Sequence, residues 1–408
     1  MLLNQIRRSL FRPPGRSFAR VASDSERILR DSVSQYANSV ILPKVHAMDA
    51  AGAMDASVVQ SLFDQGYMGV EIPEAFGGPG LSFTDSIVII EEIAKVDPSV
   101  AALVDIHNTL LNRSIMKFGR EAQKQVFLPR LAADTVGSFA ISESGAGSDA
   151  FGGMKTTAVK KGDSWVLNGE KAWISNSRDG VNGLMLVFAN AGSGGYKDIT
   201  AFLLDRNCPG LEVGKKEDKL GIRASSTCVV SLCDVQVDAA NGMLGGVGDG
   251  YKIAIGLLNE GRIGIAAQML GLAKGAFAVG MKYMLERKQF GQSISEFQGM
   301  KHQYAQIFTE IEAAHHLVYS AAELKEKADR GEITEKDFVK EASMAKLYSS
   351  QVAEKTASKV IEWMGGVGFT KEYPAEKFYR DAKIGSIYEG TSNVQLDTIA
   401  KQLIREFK

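Results

Sequence analysis

The spacing of apolar residues changes twice along the chain, and this change constrains the fold more than any other feature. Apolar residues recur every three or four positions from about residue 24 to 135, alternate in short runs from about 138 to 240, and return to helical spacing from about 250. The run 251–288 contains no proline, and two further apolar stripes and a terminal helix follow it. The sequence therefore predicts an α+β multidomain protein with an N-terminal helical domain, a middle β-barrel domain and a C-terminal four-helix bundle.

Turn signals inside the alternating region predict six to eight short strands. Gly162-Asp163 and Asn168-Gly169 separate runs that are rich in β-branched and apolar residues. We place the helical domain at residues 24–137, the β domain at 138–245 and the bundle at 246–408, after a leader at 1–23. Two helical domains on either side of a small barrel leave a crevice in which a flat ligand can bind.

The leader has the composition of a mitochondrial transit peptide. Residues 1–22 carry five arginines and no acidic residue, and leucines and a phenylalanine are interleaved with them. We expect import into the mitochondrial matrix and cleavage near residues 20–25; a disordered basic tail is the alternative.

Charge and composition exclude several classes of partner. Without the five leader arginines, 42 basic residues face 48 acidic ones, a net charge of −6, which argues against nucleic acid. No apolar run is long enough to predict a membrane span. The three cysteines and five histidines lack metal-ligand spacing, so we expect no metal and three free thiols.

Four segments upstream of the C-terminus have residues suited to a polar or aromatic ligand. The loop 139–149 combines two glycines with three serines and can approach a heterocycle or a phosphate, although it matches no Rossmann or P-loop fingerprint. Trp173 in a strand can stack on a ring or fill a core. Arg287 can clamp a pyrophosphate or cap its helix. The glycines at 365, 366 and 368 can admit a phosphate or simply end a helix.

A carboxylate near the C-terminus is the candidate base. Glu389 lies in the segment 387–393, between an aromatic residue and a glycine, and a helix with apolar positions follows. Thr391 or Ser392 can cap that helix, whose first N–H groups form an anion site. The turn can thus supply a base and an anion cradle, or only a solvated glutamate.

In this order, the segments resemble the acyl-CoA dehydrogenase family of flavoproteins over residues 25–408. Glu-Arg-x-x-Phe-Gly at 286–291, the loop 139–149, Trp-Ile-Ser at 173–175, Gly-Gly-x-Gly at 365–368 and Tyr-Glu-Gly-Thr at 388–391 carry the resemblance. The stretches 258–272 and 380–385 look most like the mitochondrial short/branched-chain members of that family.

The resemblance implies FAD as the cofactor. The loop after Phe139 and the Trp173 strand would line the isoalloxazine, with Ser142 near N5, while Arg287, Gln298 and the 362–366 turn would hold the adenosine half across a subunit interface. Many relatives have glutamine where Glu362 stands, which puts its direct contact in doubt. The implied FAD-binding residues are Phe139, Ile141, Ser142, Gly147, Ser148, Trp173, Ile174, Ser175, Arg287, Gln298, Glu362, Trp363, Met364, Gly365, Gly366, Thr391, Ser392 and Asn393.

The resemblance also implies an acyl-CoA site and a catalytic base. The implied substrate-binding residues are Ser148, Tyr196, Tyr251, Asn259, Glu260, Gly261, Arg262 and Gly390. Glu389 would remove the α-proton, and its backbone N–H, with a ribityl hydroxyl of the flavin, would polarise the thioester carbonyl. Some relatives carry the base on the long helix at the position of Gly261; here Glu260 is one residue away and points about a quarter turn round the helix. Glu389 is therefore the favoured base.

The expected activity is the oxidation of short or 2-methyl-branched acyl-CoA, such as 2-methylbutyryl-CoA, to the trans-2-enoyl-CoA in isoleucine or fatty acid degradation. Electrons would pass to electron-transfer flavoprotein, and the family implies a homotetramer. The same site run in reverse, as a 2-methyl-branched enoyl-CoA reductase, and a non-catalytic acyl-CoA-binding scaffold remain alternatives. An acyl-CoA oxidase is disfavoured, because those chains are much longer.

Overall fold

The first helical region ends in a strand that joins it to the sheet. The computed structural model describes residues 23–408, so the predicted transit peptide, but for residue 23, lies outside the described residues. Ser23, Asp55, Ser82 and Asp97 accept backbone N–H groups at helix starts, as N-cap residues do. The helices are α1 (Asp24–Tyr36), α2 (Val45–Ala51), α3 (Ala56–Asp64), α4 (Phe83–Ala94), α5 (Pro98–Asp105), α6 (Arg113–Phe118) and α7 (Glu121–Ala133), with π-helical turns at Ala37–Ile41 and Ile106–Asn112.

The middle region is a sheet of eight strands in the order β6-β7-β3-β2-β4-β5-β8, with β1 parallel to β4. The number agrees with the prediction of six to eight. The strands are β1 (Thr135–Ala140), β2 (Thr157–Lys161), β3 (Ser164–Ser175), β4 (Asn182–Asn190), β5 (Ile199–Asp205), β6 (Leu211–Lys216), β7 (Thr227–Asp238) and β8 (Met243–Leu244).

The sheet is buried on both faces along β4. Met185 and Val187 point into an apolar core that the strands enclose among themselves, together with Trp165 and Phe202. The alternate residues of β4 belong to a second core, to which β1, the π-helical turn Ile106–Asn112 and the start of the bundle also contribute. A strand that separates two cores reads as a continuous apolar run, as 184–189 does.

Long helices form the C-terminal bundle. They are α8 (Gly250–Glu286), α9 (Gln298–Asp329), α10 (Val339–Met364) and α12 (Ser392–Glu406), with the short α11 (Ala375–Ala382) and a two-stranded ribbon of β9 (Lys288–Gln289) and β10 (Gln292–Ser293) between them. Helices α8, α9 and α10 pack on one another, and α12 packs on α10.

The two helical regions share one apolar core, although the sheet separates them in sequence. That core contains residues of α1, α4 and α5 together with residues of α8, α9 and α10. Glycines of α8 permit the contact: a Cβ at Gly271 or Gly275 would overlap the carbonyl oxygen of Glu91 or Lys95, and one at Gly264 would overlap the Asp105 carboxylate. The small residues of α8 therefore admit the backbone of α4.

The expectation that no apolar run reaches membrane-spanning length is wrong for α8. By length and composition alone this helix could cross a bilayer, since an 18-residue window has a mean hydropathy of 1.4. In the fold, 78% of that window is buried against other parts of the protein. Its hydropathy thus matches a central helix that is enclosed on most sides.

Candidate active site

The Glu389 turn has a left-handed backbone that two buried side chains hold. Glu389 has φ +50° and Gly390 has φ +84°, and the first value is uncommon for a residue with a side chain. Gln395 Nε2 donates to the carbonyl oxygens of Glu389 (3.0 Å) and Gly390 (2.9 Å). Lys346 Nζ donates to the same Gly390 oxygen at 2.7 Å. The turn is therefore fixed from both α12 and α10.

Gly261 makes the space that the Glu389 carboxylate occupies. A Cβ at position 261 would lie 3.0 Å from Glu389 Oε2 and 3.0 Å from Leu110 Cδ2. Oε2 is buried and has no hydrogen-bond partner among residues 23–408. A buried carboxylate oxygen without a donor is costly, and such groups are typical of functional sites.

Burial raises the pKa of Glu389 to about 7, although the positive charges of Arg262 and Lys346 act to lower it. Arg262 is buried and donates through Nη1 to Asn259 Oδ1 at 2.9 Å and to Ser343 Oγ at 3.3 Å, while its Nε has no partner within the described chain. Glu389 can thus exchange a proton near neutral pH, as a general base must.

Three polar residues that the sequence analysis did not assign to the site surround this turn. The Tyr388 hydroxyl donates to Gln268 Oε1, and Gln268 Nε2 donates to the Pro98 carbonyl at 2.6 Å. Asp105 is buried, and both burial and the negative charge of Glu389 raise its pKa well above the usual range. The side chain of Glu389 therefore lies near a second carboxyl group whose pKa is also raised.

A polar network holds the 139–149 loop against β3. Ser142 Oγ donates to the Ala172 carbonyl at 2.7 Å. Lys171 is fully buried, and its Nζ donates to the Ile141 carbonyl at 3.1 Å and to Glu143 Oε1 at 2.9 Å. Lys171 and Glu143 were missing from the predicted site, but they fix the backbone of its loop.

The indole of Trp173 projects out of the sheet beside this loop. A register shift between Lys171 and Ile174 and a φ of +64° turn the side chain outward, where 61% of the residue is exposed. Neither Gly145 nor Gly147 has an atom within 4 Å of an added Cβ, and Ser148 is exposed. An open glycine loop next to an exposed aromatic face fits the isoalloxazine ring of FAD.

Two of the predicted flavin-lining side chains point elsewhere. Phe139 packs on Phe188 with ring centroids 5.1 Å apart, and Ile174 belongs to the core inside the sheet. Both are buried, so only their backbones could reach a cofactor. Ser175 next to Ile174 is half-buried.

The residues expected at the adenosine half lie at the far end of α8. Arg287, Gln298, Gly365 and Gly366 are exposed there. About 26 residues separate Gly261 from Arg287, which corresponds to a distance of about 39 Å along a helix. An extended dinucleotide is shorter than this distance. One FAD therefore cannot reach from Gly261 beside the Glu389 turn to Arg287 of the same chain.

Other predicted residues at that end are engaged with the protein. Trp363 and Met364 are buried in the bundle core, and Trp363 Nε1 donates to Gln303 Oε1 at 3.1 Å. Glu362 is exposed and pairs with Lys359 at 2.6 Å. At the turn of α12, the Thr391 hydroxyl caps the helix by accepting the Val394 N–H, while Ser392 is half-buried and Asn393 is exposed.

The expected substrate residues fall into two groups. Tyr196 and Tyr251 are partly exposed with ring centroids 5.0 Å apart, and Phe151, which the sequence analysis missed, contacts both. Glu260 is buried and its carboxylate pairs with Arg113 at 2.7 Å, so it serves an ionic cluster and not the Glu389 turn. Nowhere in residues 23–408 are three or more histidine, cysteine, aspartate or glutamate side chains grouped as metal ligands.

Lys346 could have been found from the sequence. It lies in α10 at the spacing of the small residues Ala342, Ser349 and Ala353, all buried on the face toward the bundle. A lysine on such a buried face needs a buried hydrogen-bond or charge partner. Its position among small buried residues is therefore a signal that can be read from the sequence. The sequence gives no such signal for Lys171. The bulge between Lys171 and Ile174 breaks the alternation of inward and outward side chains along β3.

Known proteins resemble this chain over most of its length. Family models of the acyl-CoA dehydrogenase N-terminal, middle and C-terminal domains match residues 23–135, 138–235 and 248–404. The chain is 54% identical over 386 residues to the short/branched chain specific acyl-CoA dehydrogenase, mitochondrial, of Bos taurus, which covers 94% of this chain and 87% of that protein. It is 51% identical to a probable short/branched chain specific acyl-CoA dehydrogenase of Dictyostelium discoideum, over 94% and 91% of the two chains.

The solved structures give the same result. Butyryl-CoA dehydrogenase from Megasphaera elsdenii superposes with a TM-score of 0.88 at 37% identity, covering 94% of this chain and 99% of that one. The domain matches, the curated relatives and the fold agree over nearly the whole described chain. The chain belongs to the acyl-CoA dehydrogenase family.

Proposed function

We propose that the protein oxidises short or 2-methyl-branched acyl-CoA thioesters, such as 2-methylbutyryl-CoA, to their trans-2-enoyl-CoA products. The observation that carries the proposal is Glu389, whose Oε2 is buried without a partner at the space left by Gly261. A carboxylate that titrates near pH 7 suits the removal of a weakly acidic proton α to a thioester.

In this proposal, Glu389 accepts the α-proton on its unpartnered oxygen. FAD, when bound, supplies the two-electron acceptor for the β-hydrogen. Arg262 and Lys346 stabilise the ionised form of Glu389 before the reaction, and burial limits the water that would compete for its proton. Ser142 and Trp173, which Lys171 and the β3 bulge position, would hold the ring of the cofactor.

The substrate class rests on the relatives, whose names specify short or branched acyl chains. As the family resemblance implies, the enzyme would transfer its electrons to electron-transfer flavoprotein and act in isoleucine or fatty acid degradation. The name of the Bos taurus relative includes the word mitochondrial, which supports a location in the mitochondrial matrix. The arginine-rich leader supports the location.

The length of α8 supports a cofactor site that is shared between subunits. Because Arg287 lies about 39 Å from Gly261, the adenosine half of an FAD bound at Trp173 would need the Arg287 end of another subunit. We therefore propose that subunits complete one another's cofactor sites, in the homotetramer that the family resemblance implies. Light scattering of the holoenzyme tests this, and a monomer that retains FAD would contradict it.

A substrate panel tests the activity. Butyryl-, isobutyryl-, 2-methylbutyryl-, isovaleryl- and hexanoyl-CoA are added anaerobically to the holoenzyme, and bleaching of the flavin absorbance is followed. We expect fastest bleaching with 2-methylbutyryl- or butyryl-CoA. The Glu389→Gln variant should keep its yellow cofactor and lose turnover. A colourless protein, or a Glu389→Gln variant with near-normal turnover, would contradict the proposal.

A further inference from the structure

Lys346 is a buried cation that forms a hydrogen bond with the turn of the candidate base. Its side chain is fully buried, and Nζ makes a hydrogen bond of 2.7 Å to the carbonyl oxygen of Gly390, the residue after Glu389. Within the described residues no carboxylate oxygen lies within 4 Å of this ammonium, so it has no ion-pair partner in direct contact. Burial lowers the pKa of Lys346 to about 8, and the negative charge of Glu389 acts to raise it. The lysine therefore carries its charge at neutral pH.

A hydrogen bond alone does not explain a lysine at this position. Gln395 already donates to the Gly390 carbonyl, and it reaches the Glu389 carbonyl as well. Burying an ammonium group is costly, whereas a second neutral donor would hold the turn at a smaller cost. The charge of Lys346 thus calls for a reason beyond the geometry of the turn.

We propose that Lys346 is a positioning residue for Glu389: it fixes the left-handed turn through Gly390 and supplies the buried positive charge that keeps the carboxylate ionised at working pH. The proposal rests on the role of Glu389 given above. Lys346 touches neither the thioester nor the cofactor in this scheme; it acts through the turn and through its field.

Four groups face Glu389 from the surrounding elements. Arg262 on α8 and Lys346 on α10 favour the ionised carboxylate. Asp105 at the end of α5 and Tyr388 in the turn itself also couple electrostatically to Glu389. Arg262 already donates to Asn259 and Ser343, whereas the ammonium of Lys346 bonds the turn itself. Without the charge of Lys346, Arg262 alone of these two cations would oppose the effect of burial, which favours the protonated form of Glu389.

The experiment compares two variants that both loosen the turn. Lys346→Met removes the charge and one hydrogen bond, and Gln395→Leu removes two hydrogen bonds but no charge. The rate of flavin reduction by saturating substrate is measured against pH in both holoenzymes. Infrared difference titration with ¹³C-glutamate, taking Glu389→Gln as the blank, measures the pKa of Glu389 without turnover.

We expect Lys346→Met to raise the pKa of Glu389 by about one unit. At pH values below that pKa the rate of flavin reduction should then fall about tenfold, and at high pH it should change less. Gln395→Leu should slow the reaction at every pH and leave that pKa unchanged. Lys346→Gln, which keeps a neutral donor, should behave like Lys346→Met in the titration. It also serves in place of Lys346→Met if the methionine variant does not fold.

Two results would overturn the proposal: a pKa of Glu389 that stays within a few tenths of a unit in both lysine variants, or an equal rise in Gln395→Leu. A wild-type holoenzyme that no acyl-CoA bleaches would instead contradict the proposed function. In that case the infrared titration still decides whether Lys346 sets the ionisation of Glu389.

Discussion

At the scale of single residues, Gly261 determines where the carboxylate of Glu389 can lie. We expect Gly261→Ala to slow flavin reduction about tenfold, because a methyl group 3.0 Å from Oε2 must displace it, and small displacements of a reacting group are costly. Gly256→Ala on the same helix is the matched control, since its nearest atom would be 3.7 Å away. Stopped-flow absorbance of both holoenzymes measures the difference; equal rates would show that the space at 261 is not critical.

Glu389 should also make stability depend on pH. The fold raises its pKa from 4.5 to about 7, so the folded state holds a proton that the unfolded chain releases between these values. Its contribution to stability is therefore present below about pH 4.5 and is lost as the pH rises to 7. We expect Glu389→Gln to be more stable than the wild type at pH 8, and the advantage to shrink toward pH 5. Urea unfolding at both pH values tests this; a constant difference would contradict it.

At the scale of elements, the end of β3 supports the site through a buried side chain as well as through strand pairing. Lys171 is buried under the loop at 139–149 and bonds both Ile141 and Glu143. We expect Lys171→Met to weaken FAD binding about tenfold or more, since the loop loses its support and Glu143 loses its buried cation. Fluorescence titration of the apoprotein with FAD measures this. Lys160→Met on the exposed strand β2 should bind FAD normally.

The sequence predicted these elements better than their side-chain directions. The strand around Trp173 and the loop at 139–149 follow from local patterns, and so does the cap of α12 at Thr391. The outward turn of Trp173 does not, because it depends on a bulge set by pairing with β7, more than 50 residues away. The sequence likewise predicted Glu260 at the substrate. In the fold its carboxylate forms an ion pair with Arg113 on α6 and does not face the Glu389 turn.

At the scale of the whole molecule, one buried lysine connects the three regions. Lys377 on α11 pairs with Asp97 at the start of α5 (2.9 Å) and with Asp381 (2.6 Å), which accepts the Ile222 N–H from the segment before β7 (2.6 Å). All three charged side chains are buried. The order of the three regions was predictable from periodicity, but this junction was not, since Asp97, Ile222 and Lys377 are each more than 100 residues apart.

We expect Lys377→Met to destabilise the protein by about 3–5 kcal/mol, because two buried carboxylates would face each other without a cation. Acid should restore part of the loss by protonating Asp381, whose pKa burial raises. Lys383→Met, which breaks an exposed pair with Glu354, should change stability by less than about 0.5 kcal/mol. Urea denaturation of the three proteins at pH 5 and 8 provides the comparison, and equal midpoints for both variants would exclude a special role for the junction.

The shared core of the helical regions has a consequence for biosynthesis. About 115 residues of sheet and loop leave the ribosome between α7 and α8, so α4 and α5 emerge long before the helix whose glycines receive them. Until α8 is made, their apolar faces have no partner, and closing so long a loop is slow. A nascent chain that stops before α8 should therefore be a substrate for chaperones, and the protein should fold only after its synthesis is nearly complete.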